Sequence, residues 1–126
     1  MPKSVDLLMN RDLYGEADSS FLDGTTATIN NTGAFTVDVT QPFICYYKGM
    51  LFSSSNYISG DYFKLTIVRD GSEIGTLINR QYVKDAGQVN IFPIPERLAS
   101  GDTTRFVYTS TDATARTIWL DNEYVR

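Results

Sequence analysis

The segment Asp61–Leu77 carries the clearest secondary-structure signal in this chain. Apolar side chains at Phe63, Leu65 and Ile67 alternate with other residues, which places all three on one face of a β-strand. An Asp-Gly pair at 70–71 then separates this run from a second one. Asp-Gly between two such runs indicates a type I′ turn, which requires positive φ at both central residues. The segment therefore predicts a β-hairpin. Because an isolated hairpin is only marginally stable in water, further strands must cover its apolar face.

Strand signals recur at short intervals through the rest of the chain. The other strand segments are 26–30, 35–40, 43–52, 88–94, 105–110 and 117–125. A chain of 126 residues is expected to form one domain with a core of its own. About eight short strands separated by turn residues predict an all-β fold, an antiparallel β-sandwich with jelly-roll-like connectivity. An immunoglobulin-like arrangement is the alternative.

A short pattern occurs twice, each time just before a predicted strand. Residues 58–61 read Ile-Ser-Gly-Asp and residues 99–102 read Ala-Ser-Gly-Asp. Glycine permits a tight entry, and an aspartate side chain can bond nearby backbone amides. The pattern predicts two similar corners rather than a sequence repeat.

The first 25 residues differ from the remainder, which forms the predicted sandwich domain of residues 26–126. They are polar and rich in turn residues, with few apolar side chains. One interpretation is a frayed terminus. The other is an N-terminal arm that becomes ordered against a neighbouring subunit, with four apolar anchors. These anchors are Leu7, Leu8, Phe21 and Leu22.

Composition and charge exclude several classes of partner. The net charge is −4, whereas nucleic-acid binding requires a clustered basic surface, so no nucleic-acid partner is expected. No cluster of Lys and Arg favours an anionic membrane, and no apolar run approaches the length of a membrane span. The single cysteine, Cys45, lies in an apolar run and is expected to be an inert core thiol.

The residues offer little catalytic or metal-binding chemistry. The chain has no histidine, which removes the commonest general base and metal ligand, and we expect no cofactor. Asp121 and Glu123 lie two apart on a predicted strand and are the one carboxylate pair considered for catalysis, but a solvated face is the simpler interpretation. Asp18 and Asp23 are weak candidates for binding an ion. The many tyrosines and the single tryptophan make a glycan a further candidate partner.

The C-terminal segment IFPIPERLASGDTTRFVYTSTDATARTIWLDNEYV resembles the late strands of viral and tumour-necrosis-factor-like jelly rolls. In those families a Leu-x-x-Gly-Asp corner, here Leu98 to Asp102, precedes a strand near a trimer axis. In its Asn-, Thr- and Ser-rich loops and its lack of histidine, the chain resembles small accessory proteins of tailed bacteriophage virions. Among these, capsid decoration (cement) proteins are of similar size and are often trimeric β-sandwiches with an arm. The resemblance carries over no site residues.

This resemblance implies a non-enzymatic structural protein of a virion, assembled in the host cytoplasm. As a decoration protein it would bind a capsid or other virion protein as a homotrimer, through the arm and through aromatic and aliphatic contacts on the body. The body anchors expected on this hypothesis are Tyr46, Tyr47 and Trp119. The alternative is a carbohydrate- or receptor-binding head domain of a phage tail or fibre. An enzyme that uses Asp121 and Glu123 is a third hypothesis.

Overall fold

The computed structural model describes residues 20–83 and 87–126, and this part of the chain forms eight β-strands. The strands are β1 (Ser20–Ile29), β2 (Gly33–Thr40), β3 (Cys45–Ser54), β4 (Tyr62–Arg69), β5 (Ser72–Tyr82), β6 (Gly87–Leu98), β7 (Thr103–Ser110) and β8 (Arg116–Val125). No helix occurs in these two ranges. The predicted all-β class and strand number are confirmed.

The strands form two four-stranded antiparallel sheets that pack as a sandwich. Sheet A has the order β1-β8-β3-β6, and sheet B has the order β2-β7-β4-β5. The ladders β4–β5, β3–β6, β2–β7 and β1–β8 each join strands equidistant from the middle of the chain. The fold is therefore one long hairpin wound into a double-sheet jelly roll, as predicted, with the β4–β5 turn at its tip.

The turn at that tip has the predicted conformation. Arg69 and Ser72 are paired at its base, which leaves a two-residue loop. Asp70 has a φ of 52° and Gly71 a φ of 81°. Positive φ at both positions matches a type I′ turn, whose twist suits the flanking strands.

The core lies between the sheets and is rich in aromatic rings. Phe52 of sheet A packs against Phe63, Phe106 and Tyr108 of sheet B, with ring centroids 5.1, 5.3 and 5.9 Å away. The Cys45 thiol is buried in the same core, and burial raises its pKa. This location agrees with the interpretation of Cys45 as a core thiol.

The two Ser-Gly-Asp corners have the same geometry, as the repeated pattern predicts. In the first, the Asp61 N–H donates to the Ile58 carbonyl at 3.0 Å and the Ile58 N–H donates to the Asp61 carboxylate at 3.3 Å. In the second, Asp102 and Ala99 make the same two bonds at 3.1 and 2.8 Å. The glycines of the two turns, Gly60 and Gly101, have φ values of 102° and 88°. A residue with a Cβ adopts such a φ only with strain, so the glycines fix both corners.

Each corner aspartate also binds an arginine, but the two ion pairs differ in burial. Arg116 donates to Asp61 at 2.6 and 3.1 Å, and both side chains have 0% exposure. Arg69 donates to Asp102 at 2.8 Å through two nitrogens, and its side chain is 47% exposed. The Asp61 carboxylate additionally accepts bonds from the Tyr108 hydroxyl at 2.6 Å and from the Thr111 backbone and hydroxyl.

These bonds set the pKa of both carboxyl groups. Burial alone would raise the pKa of Asp61, but the bonds from Arg116, Tyr108, Thr111 and Ile58 outweigh it and hold the pKa well below the ordinary 3.8. The Arg69 hydrogen bond, against a smaller effect of burial, lowers the pKa of Asp102. Burial and the bond to Asp61 raise the pKa of Tyr108 to about 12, so its hydroxyl remains a donor.

These shifts predict a loss of stability in acid. Because both carboxyl groups have lower pKa values in the folded chain than in the unfolded chain, the unfolded state binds more protons at low pH. The stabilisation is complete above about pH 5 and is lost as the pH falls below about 4, so we expect the free energy of unfolding to drop by about 2–3 kcal/mol between pH 5 and pH 2. Urea unfolding at each pH measures it. The control variant Asp121→Asn, changed at a surface residue, should show the same fall in the free energy of unfolding. A free energy of unfolding that does not change with pH in the wild type and in this variant would contradict the prediction.

The predicted boundary between arm and domain falls inside β1. Residues 20–25, assigned to the arm from their polar sequence, pair with β8 without interruption from Ser20–Val125 to Ile29–Arg116. Gly24 explains the difference, because a Cβ there would lie 1.8 Å from the Leu120 carbonyl oxygen. Gly24 therefore permits a close approach of two strands and does not form a turn. Leu7, Leu8 and Asp18 lie outside the described residues.

Candidate interaction surface

The outer surface of sheet A carries exposed apolar side chains from all four of its strands. The ladders align these positions in three rows. The rows are Leu22–Glu123–Gly49–Ile91, Gly24–Asp121–Leu51–Val89 and Thr26–Trp119–Ser53. Five large apolar residues in these rows are 43–67% exposed, and we refer to them together as the sheet A face. They are Leu22, Leu51, Val89, Ile91 and Trp119.

The alternation of each strand directs these side chains outward. Leu51 lies between Met50 and Phe52, and both neighbours are buried in the core. Trp119 likewise lies between two buried residues of β8. Polar residues at the outward positions would leave the core unchanged, so the sandwich itself does not require apolar ones. A contiguous exposed apolar patch on a protein typically marks a contact with another molecule.

The charged residues of this surface lie within the same rows. Asp121 and Glu123 share the outer side of β8, as their spacing predicts, and Lys48 lies 3.7 Å from Glu123. Side chains this exposed form an ion pair of small energy. The two carboxylates are surface groups beside apolar neighbours, and the geometry provides them with no enclosed site.

The outer surface of sheet B is different, because several of its polar side chains are paired with one another. Arg105 donates two bonds to Asp38 at 2.9 and 3.0 Å. The Thr40 and Thr103 hydroxyls are 2.6 Å apart. Lys64 lies 3.7 Å from Glu73. Sheet B also exposes Tyr82, whose ring lies 5.9 Å from that of Tyr62, so the two outer surfaces differ chiefly in exposed aliphatic side chains, which sheet A carries.

The structure separates the five predicted anchors that it describes into two groups. Leu22 and Trp119 belong to the sheet A face, and Tyr46, half-buried, shares a row with Val125 on the same side. Phe21 packs instead within its own domain, 5.4 Å from the Tyr124 ring. Tyr47 is completely buried.

The prediction of Phe21 and Tyr47 as surface anchors is corrected by this placement. The Tyr47 hydroxyl donates to Asn122 at 2.7 Å inside the core. Burial raises the pKa of Tyr47. The reason is alternation: neighbours on a strand point to opposite sides, so Tyr46 and Tyr47 cannot share a surface. The same applies to Phe21 and Leu22. Leu51, Val89 and Ile91 were not among the predicted anchors. Alternation indicates Leu51, which lies between the buried Met50 and Phe52, but Val89 and Ile91 alternate with Gln88 and Asn90, a pattern that predicts the opposite orientation.

A cleft opens between the sheets where the edge strands β5 and β6 meet. It has a volume of about 190 Å³, and its apolar lining includes Ile67, Ile74, Leu77 and Leu98. Glu96 is the one carboxylate that lines it. Within residues 20–83 and 87–126, no three His, Cys, Asp or Glu side chains are grouped as a metal site requires. The same described part of the chain has no helix able to span a membrane.

Solved structures with a similar fold come from a virus and from a bacterial toxin. The VP2 protein of infectious bursal disease virus, as the D431N mutant in derived T=1 particles, has a TM-score of 0.50 at 10% identity over 87% of this chain and 31% of that chain. A VP2 subviral particle gives 0.48 at 10% identity, over 87% and 32%. The insecticidal delta-endotoxin Cry8Ea1 from Bacillus thuringiensis gives 0.39 at 12% identity, over 80% and 19%. This chain spans about a third of the VP2 chain, and the likeness concerns the fold alone.

Comparison of the sequence with protein families gives a match over most of the chain. Residues 18–126 match the model described as Domain of unknown function (DUF8551). No curated protein matches the sequence. Because the family model covers more than four fifths of the residues, this chain belongs to the DUF8551 family.

Proposed function

We propose that this protein is a non-enzymatic structural component of a virus particle, a decoration (cement) protein that stabilises a phage shell. Its sheet A face would bury apolar surface against a capsid or other virion protein. Burial of the exposed part of each of these half-exposed side chains contributes about 1 kcal/mol, which offsets part of the cost of association. The virion would be its location, after assembly in the host cytoplasm.

The contrast between the two outer surfaces is the observation that carries this proposal. A jelly roll that acted alone in water would gain by polar groups on both outer sides, as sheet B has. Sheet A instead exposes Trp119 and four aliphatic side chains in adjoining rows. Such a surface suits a protein partner that covers an area rather than a small ligand. The fold likeness to VP2, whose structure is that of T=1 particles, supports the class of partner.

The finer form of the proposal is a homotrimer, with Leu22, Tyr46 and Trp119 near the contacts between copies. We expect light scattering after size-exclusion chromatography to give about three times the chain mass of 14.1 kDa at micromolar concentration. Substitution of Trp119 by Ser should shift this mass downward, because the largest exposed side chain of the face is removed. Thr36→Ser, on sheet B, is the control. A single-chain mass for the wild type would contradict the trimer and leave the shell contact to be tested by itself.

A glycan- or receptor-binding head domain of a phage tail or fibre is the second candidate. The observation that favours it is the row Thr26–Trp119–Ser53, in which two hydroxyl residues flank an exposed indole. Aromatic faces beside hydroxyl groups suit sugar rings, which have apolar and polar sides. A glycan array separates the two candidates, since binding that is lost in Trp119→Ser would favour the head domain.

A further inference from the structure

Strand β6 carries a bulge where it crosses the middle of β3. The ladder passes from the pair Tyr47–Glu96 to the pair Gly49–Ile91, so four residues of β6 lie opposite one residue of β3. These four residues read Phe-Pro-Ile-Pro at 92–95, and we refer to them as the β6 bulge. A bulge directs side chains away from the positions that the ladder would give them.

The β6 bulge presents one apolar side chain on a rigid support. Among the exposed large apolar residues that the structure describes, Ile94 has the highest exposure, at 79%. Pro93 and Pro95 flank it, and their rings fix the φ angle on each side. Phe92 ties the bulge to the core, since its ring lies 5.5 Å from that of Tyr47. An apolar residue held in this way loses little conformational freedom on binding and suits insertion into a pocket.

The cleft between β5 and β6 has space for such a side chain, because β5 places a glycine at a position that faces it. Gly75 pairs with the buried Ile67, so a side chain at 75 would point between the sheets. A Cβ at this position would meet no atom within 4 Å, and the φ of Gly75 is not positive. Neither crowding nor backbone conformation therefore requires glycine here. Glycine inside a strand weakens it and often marks a place that a ligand or another chain approaches closely.

We propose that the cleft binds Ile94 of a second copy of this chain, in the space beside Gly75. A cavity of about 150 Å³ holds a benzene-sized group, so the cleft volume of about 190 Å³ accommodates an isoleucine side chain. The buried Ile67 and Leu98 provide apolar walls. Ile94 of the same chain does not line the cleft, which leaves this position to a neighbour.

A second copy suits the cleft because each chain carries one β6 bulge and one cleft. The two surfaces differ, so the contact is head-to-tail and repeats from copy to copy until a ring closes. It also covers part of the edge strands β5 and β6, whose unpaired backbone groups are otherwise open to other chains. This inference rests on the homotrimer in the proposed function and names a contact that joins its copies.

The test measures mass by light scattering after size-exclusion chromatography at micromolar concentration. Ile94→Asp would place a charge in the apolar cleft, and Gly75→Ile fills the cleft from its own chain. We expect each variant to have the mass of one chain, through a dissociation constant raised by at least about tenfold. Ile91→Asp, the matched control, makes the same substitution on β6 outside the bulge and should keep the wild-type mass.

A mixture of the two variants tests whether the bulge and the cleft meet each other. Ile94→Asp retains an intact cleft and Gly75→Ile retains an intact bulge, so an equimolar mixture contains one functional contact. We expect a species with the mass of two chains, although neither variant associates by itself. Thr76→Asp, at an exposed residue of the cleft lining, replaces Gly75→Ile if urea unfolding shows that the latter does not fold.

Four results would overturn the inference. The first is a wild-type mass in Ile94→Asp and in the cleft variant, and the second is a mixture that keeps the mass of one chain. An equal loss of mass in Ile91→Asp would assign the effect to added charge. A wild type with the mass of one chain would overturn this contact together with the homotrimer. Sedimentation with shells is a separate measurement, so failure here is distinguishable from failure of the proposed function.

Discussion

Replacement of Asp61 by Asn is expected to lower the free energy of unfolding by about 3–5 kcal/mol, a large part of the stability of a domain of this size. The substitution keeps the shape of the side chain but removes the closer counter-charge of the buried Arg116 guanidinium, which retains only the longer contact of 3.4 Å to the half-exposed Asp112 carboxylate. It also weakens the acceptor for the Tyr108 hydroxyl and the Thr111 amide. Urea unfolding at pH 7, followed by circular dichroism, measures the change.

The second corner of the fold provides the matched control. Asp102→Asn makes the same substitution in the same type of turn, but its partner Arg69 is half exposed and stays hydrated when the pair is lost. We expect a cost of about 1 kcal/mol there. Equal losses in the two variants would contradict the claim that burial of the ion pair makes the Asp61 corner the stronger one.

A double-mutant cycle then isolates the pair itself. Arg116→Met should cost about as much as Asp61→Asn, because each removes one member of the buried ion pair and leaves the other charge buried. The double variant, which removes both charges, should lose less than the sum of the two. Should Asp61→Asn fail to fold, Arg116→Lys retains the charge and allows the comparison, since it removes the forked geometry alone.

The hairpin and the two corners were predictable because short-range chemistry decides them. Asp70 and Gly71 form the type I′ turn from their own backbone preferences, without help from the rest of the molecule. The Ser-Gly-Asp turns are equally local, because the aspartate bonds the amide three residues before it. A strand with one solvent-exposed face, such as β2, is likewise predictable from the alternation of polar and apolar residues alone.

Long-range contacts explain what the sequence did not predict. Gly24 resembles a turn residue in the sequence. Only the position of the Leu120 carbonyl oxygen, 1.8 Å from where a Cβ would lie, explains why a strand needs glycine there. Because residues 20–25 are polar, the sequence did not indicate that they belong to an edge strand. Similarly, nothing near Arg116 in sequence predicts that it pairs with Asp61, since that contact joins residues 55 positions apart.

Only some residues of the sheet A face were predicted, because the others depend on long-range contacts. Residue type alone indicates Tyr47 and Phe21 as anchors, but strand parity directs both inward, where Tyr47 is fully buried and Phe21 is partly buried against the core. Parity indicates Leu51 as an outward residue, but it predicts an inward orientation for Val89 and Ile91, because these alternate with the polar Gln88 and Asn90. Their grouping into one face depends on the order of strands in sheet A, which local patterns do not contain.

Substitution on the sheet A face should abolish shell binding without unfolding the domain. Val89→Asp/Ile91→Asp places two carboxylates at i and i+2 on the outer side of an edge strand, where both side chains are exposed. Loss of two apolar contacts and desolvation of two charges predict at least a tenfold weaker contact, since about 1.4 kcal/mol corresponds to each factor of ten. The unfolding midpoint in urea should stay close to that of the wild type, because neither side chain belongs to the core.

The matched control is Ala34→Asp/Thr36→Asp, which adds the same charges at i and i+2 on the edge strand β2 of sheet B. Co-sedimentation of each protein with empty phage shells is the measurement that tests the proposed function. The sheet A face account predicts that the wild type and the β2 variant pellet with the shells, whereas Val89→Asp/Ile91→Asp remains in the supernatant. Equal pelleting of all three proteins, or loss confined to the β2 variant, would contradict it.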